Sequence, residues 1–183
     1  MSYAESLQWE VEQIGGALRH IDSALPADPV GTVDPSLQNL RDHLRKSLIS
    51  ITTNLRFLED LNQADLFGQD PTLAVRRYKV IEALETTRVD LQFTLLPRLE
   101  TWTRGVIQER QARGSEQQPE LAYRAAVGTD SATAPANAGG FFASALKTAE
   151  GFLGAASNTV GLVEKTMLLA KAVGVLFGVP LPI

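Results

Sequence analysis

Imidazole titrates near neutral pH and serves as acid, base or metal ligand, so the histidines are the first residues to weigh. The chain has two, His20 and His43, and no cysteine. A zinc hydrolase would need the HExxH spacing, which sets two ligands on one helix face. A ferritin-like centre would need a Glu three residues before a His. Neither pattern occurs, and His43 has only Asp42 as a sequence neighbour of interest. The phosphate-cradling GxxxxGK[ST] loop and the GxSxG nucleophile elbow are also missing. Without cysteine there are no disulfides, thiol nucleophiles or Cys-based zinc sites. Carboxylates are plentiful, but on long helices they form solvated faces, and no catalytic pair stands out. The sequence therefore predicts a non-enzymatic protein that needs no metal or cofactor.

Two basic clusters remain as sites for phosphate or acidic headgroups: Arg41, Arg45 and Lys46, and Arg76, Arg77 and Lys79. Acids such as Asp42 and Asp70 dilute both, which favours a salt-bridged helix surface. The formal net charge of -4 gives no broad footprint for nucleic acid. Trp9 and Trp102 read as packing residues. The polar, acidic start MSYAESLQWEVEQ lacks the basic and apolar regions of a secretory signal, so a cytoplasmic location is expected.

The elements that would carry these residues are helices. Hydrophobic residues make up 44% of the 183, enough for a core. Tyr3, Leu7, Val11, Ile14, Leu18, Ile21 and Leu25 recur every three or four residues and draw one apolar stripe. Gly15-Gly16 within it suggests a close helix contact or mild bend. Asp34-Pro35 starts a second helix, striped by Leu37, Leu40, Leu44, Leu48, Ile51, Leu55 and Leu58 and ending near Phe67-Gly68. Asp70-Pro71-Thr72 repeats the start signal for a third, with Leu73, Ile81, Leu84, Leu91, Leu95, Leu99, Trp102 and Val106 on one side. Arg88 sits on that stripe, where its stem would pack while its head reaches water or a carboxylate. Pro97 should kink this helix. Short connections between long helices imply antiparallel neighbours.

Three regions follow: an amphipathic bundle over 1–112, a flexible linker or loop over 113–138 rich in Gly, Ser, Gln, Pro and Ala, and an apolar Gly/Ala-rich helical segment over 139–183. The fold class predicted is all-α, an antiparallel up-down bundle of three long helices plus a long apolar C-terminal helix. The region, either a flexible linker or a loop with one helical turn around Leu121–Val127, would be an accessible place for a protease to cut.

The C-terminal segment carries most of the functional information. Its charges are Lys147, Glu150, Glu164, Lys165 and Lys171 alone. On a continuous helix, Lys147, Glu150, Gly154, Ser157, Gly161, Glu164, Leu168 and Lys171 form one narrow polar stripe. The other surfaces are apolar, and Phe141, Phe142, Leu146, Phe152, Leu153, Val160, Val163, Met167, Val173, Gly174, Phe177 and Gly178 are the candidate membrane or partner contacts. Three placements suit such a helix: bundle core, a membrane-active helix lying in or assembling within a bilayer, or a single span over Val160–Val179, against which Glu164, Lys165 and Lys171 count. Gly174 and Gly178 make a GxxxG match that can bring helices together.

In architecture alone, a capped amphipathic bundle with an apolar terminal segment resembles the helical-bundle cell-death effectors of the HeLo and MLKL type. Those carry the membrane-inserting end at the N-terminus, whereas here it would lie at the C-terminus. The functional expectation is an effector or interaction protein whose C-terminal helix is shielded at rest and, once released by opening of the bundle or by linker cleavage, mediates membrane association or self-association. The alternative is a soluble adaptor or assembly subunit whose C-terminal helix is core or docks into a protein partner's groove.

Overall fold

The computed structural model describes residues 3–26, 35–64, 70–127 and 138–179, with side chains described except at 115–127 and 138–142. The fold is an all-α helical bundle, and no strand occurs among the described residues. Its elements are α1 (Tyr3–Ala24), α2 (Pro35–Ala64), α3 (Pro71–Asp90), a π turn (Leu91–Leu95), α4 (Leu96–Val127), α5 (Ala138–Asn158) and α6 (Leu162–Phe177). The expected cap at Asp34 and the end near Phe67-Gly68 lie outside the described residues.

Helix α1 is the centre of the bundle and packs on α2, α3 and α6. Its stripe is the reason: Val11, Ile14, Leu18 and Ile21 are fully buried, while the charged positions between them stay at the surface. Gly15 sits where α1 meets α2, since a Cβ there would come within 3.2 Å of Ile51 Cγ2; Gly16 faces open space. The chain then turns back as α2, and Arg41 seals the turn. It is buried, and its guanidinium donates to the Leu25 carbonyl at 3.2 Å and to that of Pro26. Carbonyls at a helix C-terminus lack intrahelical donors, and this arginine supplies one. Asp22 pairs with Arg45 beside it at 3.4 Å.

Helices α2 and α3 are antiparallel, joined by His43 to Asp90 at 2.6 Å, Ser50 to Thr87 at 2.8 Å, and Asn62 to Arg77 at 3.0 Å. Asp70 caps α3 by accepting from the Thr72 and Leu73 amides, with Pro71 at the first helical position. Arg88 keeps its place on the apolar stripe by pairing with Glu10 at 3.1 Å and Glu85 at 3.2 Å.

Pro97 does not break the third helix. The turn before it widens to a π turn, in which the Leu96 amide reaches back to the Leu91 carbonyl. Proline has no donor and crowds the carbonyl four residues back, and an extra residue in the preceding turn relieves that crowding. Leu91, Leu95, Leu96 and Leu99 all remain fully buried through the irregularity. Helices α3 and α4 thus form one rod, its first part covered by α2 and its later part by α5 and α6. Helix α4 runs on through Val127, so the first half of the expected 113–138 linker is helical. Residues 128–137 lie outside the described residues.

The expected single C-terminal helix is two helices. Thr159–Gly161 separates α5 from α6, and the pair fold onto each other in the most extensive helix contact of the bundle. Asn158 and Thr159 turn their side chains back onto the Gly154 and Ala155 carbonyls, a bonding mode that competes with helix continuation. Gly161 is extended (φ -68°, ψ 124°) and begins α6 by accepting from the Lys165 amide. Apolar burial, worth about 25 cal/mol per Å², rewards the fold-back because each helix covers part of the other's wide apolar surface.

Candidate functional site

Helix α6 is sheltered inside the bundle. Leu169, Ala170, Ala172 and Val173 are fully buried, and Leu162 and Leu176 nearly so. Its end is tied down on two sides. Gly178 takes the left-handed conformation (φ 72°), and the Val179 amide returns to the Gly174 carbonyl at 2.8 Å, closing a Schellman-type cap. The Val179 carbonyl in turn lies 3.0 Å from His20 Nε2 on α1. On the other side Arg110 of α4 donates to the Leu176 carbonyl, with its guanidinium carbon 4.8 Å from the centre of the Phe177 ring. Burial lowers the Arg110 pKa. Trp102 stacks on Phe177 itself, with ring centres 6.0 Å apart and planes inclined by 20°.

Gly174 is required at this corner. A Cβ there would lie 2.4 Å from the Val179 carbonyl oxygen and 3.0 Å from His20 Nε2. The two glycines of the GxxxG match therefore have an intramolecular use: one admits the returning chain and the other turns it.

A carboxylate pins the α5–α6 hairpin to α4. Glu100 accepts from Ser157 Oγ at 2.6 Å and Arg104 at 3.1 Å, and pairs with Lys165 Nζ at 3.2 Å. Burial alone would raise its pKa, but the bonds from Ser157 and Lys165 outweigh that and hold the carboxyl below its usual range. Gln111 adds a bond to Glu150 at 2.8 Å.

The candidate contact residues separate by position. Leu153, Val173 and Gly174 are buried; Leu146, Phe152, Val163 and Phe177 are half-buried, with Lys171 Nζ 5.9 Å from the centre of the Phe152 ring. Val160, 97% exposed in the α5–α6 turn, and Met167, 36% exposed, face solvent together with Gly178. The side chains of Phe141 and Phe142 lie outside the described residues. The polar stripe predicted for a continuous helix largely survives the break: Lys147, Glu150, Gly154, Ser157, Gly161, Glu164 and Lys171 are exposed, but Leu168 is half-buried and packs against the core. Of the span considered over Val160–Val179 only Leu162–Phe177, 16 residues, is helical, and among the described residues no helix is long and apolar enough to cross a membrane.

A second feature had no strong signal in the sequence. A groove of about 950 Å³ opens between the start of α2 and the junction of the π turn with α4. Leu40, Phe93, Pro97 and Trp102 supply apolar surface, and Asp42, His43, Lys46, Arg98 and several small polar residues line the rest. Phe93 is 69% exposed at this place. His43 is held by Asp90, and Asp42 accepts from Gln38 at 3.3 Å. The first basic cluster is thus dispersed by the fold, with Arg41 buried, Arg45 paired, and Lys46 alone turned to the groove. In the sequence, Lys46 of that cluster and Pro97 pointed toward this site, Pro97 because the widened turn it follows is part of the wall. Among the described residues no group of three or more His, Asp or Glu side chains could hold a metal ion.

No protein-family model matches the chain, and no curated protein or solved structure is significantly similar to it.

Proposed function

We propose that this chain is a non-catalytic helical-bundle interaction protein whose apolar C-terminal hairpin is sheltered at rest and engages a membrane or a second copy of the chain when released. The observation that carries this reading is how α6 is held. Its apolar surface is covered by α5, α1 and α4, and its end is fastened to α1 and α4 by polar contacts, His20 to Val179 and Arg110 to Leu176. A helix this apolar does not stay bare in water, so detaching it creates a demand for lipid or protein cover. Cleavage within 113–138 is the proposed release step.

The test is liposome leakage. Intact protein should leave vesicles sealed, while the 139–183 peptide, or protein cut once between Arg113 and Ala138, should release the vesicle contents. No leakage and no lipid binding from any form would reject the membrane side of the proposal. The second reading, an adaptor or assembly subunit with α6 as permanent core, is favoured by the complete burial of Leu169, Ala170, Ala172 and Val173. Under it, the cut chain would keep its hairpin bound and leave vesicles intact.

A further inference from the structure

The groove between α2 and the π turn has the makings of a ligand site, with Trp102 standing between it and Phe177 of the hairpin. Its volume of about 950 Å³ is at the upper end of the roughly 300–1,000 Å³ usual for small-molecule pockets. Such a space is far too large for a metal ion or a bare phosphate. Phe93, Pro97 and Trp102 supply its apolar surface, over Leu40, which is almost wholly buried beneath them. An aromatic side chain as exposed as Phe93 loses hydration when a ligand covers it, which favours an apolar group on the ligand.

The charges select the rest of the ligand. Lys46 and Arg98 both line the groove, and neither makes a hydrogen bond or ion pair among the described residues. Of the acids nearby, Asp90 is paired with His43 at 2.6 Å, while Asp42 accepts from the neutral Gln38 amide at 3.3 Å and keeps its charge. Lys46 and Arg98 together outweigh Asp42 in the lining, which suits a single negative charge attached to something greasy. The wall is also an irregular one, since the π turn displaces Phe93 and Thr94 from regular α-helical register, and π turns recur at functional sites.

We infer that this groove binds a small amphiphilic anion, with its ring or acyl chain against Phe93, Pro97 and Trp102 and its acidic group at Lys46 and Arg98. Two ligand sources share that chemistry, aromatic acids and acyl acids, and the probes separate them. Anilinonaphthalene sulfonate represents the first, laurate the second, and dodecyl maltoside serves as the neutral amphiphile. Each is titrated into the full-length chain by calorimetry, with Trp102 emission as a second signal.

At least one anionic probe should bind saturably, one per chain, and dodecyl maltoside at least tenfold more weakly. Lys46→Glu with Arg98→Glu should weaken the anion at least tenfold, and Phe93→Ala should do the same with the circular dichroism unchanged. Phe93 is mostly exposed, so its replacement keeps the test decisive even if the charge-reversed chain fails to fold. Val160→Asp, at the distant α5–α6 turn, should leave binding unaltered. Binding of neither anion, equal binding of the neutral amphiphile, or affinity indifferent to Phe93→Ala would each overturn the inference. Because none of these measurements requires release of α5 and α6, they succeed or fail separately from the vesicle experiment.

Discussion

Gly174 and Gly16 show how differently one residue type acts in the same bundle. At Gly174 the nearest neighbours of an added Cβ are a backbone carbonyl and a histidine ring, neither of which is the free end of a flexible chain. Gly174→Ala should therefore cost about 1–3 kcal/mol, the usual range for overpacking, read as a lower midpoint in urea denaturation. Gly16 lies within α1 with nothing within 4 Å of its would-be Cβ. There Gly16→Ala should raise stability by about 0.4–1 kcal/mol through the lower entropy of the unfolded chain. Equal effects at the two sites would mean that the corner at Val179 is not tightly closed. A similar contrast applies to apolar side chains on α6. Leu169→Ala removes a fully buried side chain and should cost about 2–5 kcal/mol. Met167→Ala, at a site 36% exposed, should fall well below that, and thermal melts of the two variants would rank them.

At the scale of elements, the joint between α4 and the C-terminal hairpin should be acid-sensitive. Glu100 has its pKa depressed in the folded chain by Ser157 and Lys165. A carboxyl with a lowered folded pKa stabilises most above its unfolded value, about 4.3 for Glu. That contribution is lost as pH falls through the folded value. Glu100→Gln should cost on the order of 1–2 kcal/mol near neutrality. The gap between variant and parent should be full above about pH 5 and close below the depressed folded value. Melting curves at several pH values would reveal it, and a gap constant down to the lowest pH would assign the loss to packing instead. The widened turn at Leu91–Leu95 is testable in the same way. Pro97→Ala restores the missing backbone donor, and the π turn should then lose its main cause. Hydrogen exchange faster at 91–97 than in the flanking turns of the parent, and levelled in the variant, would support that account.

At the scale of the whole molecule, α1 links the two parts of the α3–α4 rod, because it touches α2 and α3 on one side and α6 on the other. Removing residues 139–183 would uncover the face of α1 that α6 occupies. The truncated chain should lose cooperative unfolding or self-associate, and light scattering with denaturation would detect either. A truncated chain that stays monomeric with an unchanged unfolding midpoint would show that α1 does not depend on the hairpin.

Much of this was legible in the residue order. Periodicity located the buried faces of α1, α2 and α3, since leucines three and four apart must share one side of a helix whatever it packs against. Asp70-Pro71 marked a helix start because its cap is local, closed by amides two and three residues away. Even the exposed stripe from Lys147 to Lys171 followed from the distribution of charge, as charge avoids burial wherever the chain bends. What required the tertiary structure was everything settled by distant partners. Asn158-Thr159 became a turn because two apolar helices gain by covering each other. Arg41 left the surface because the end of α1 needed a donor, and Gly174 and Gly178 closed a corner against His20, far away in the chain. The groove beside Phe93 belongs to the same class. Its walls come from two helices whose register is set by contacts such as His43 with Asp90, and no run of neighbouring residues encodes a space between helices.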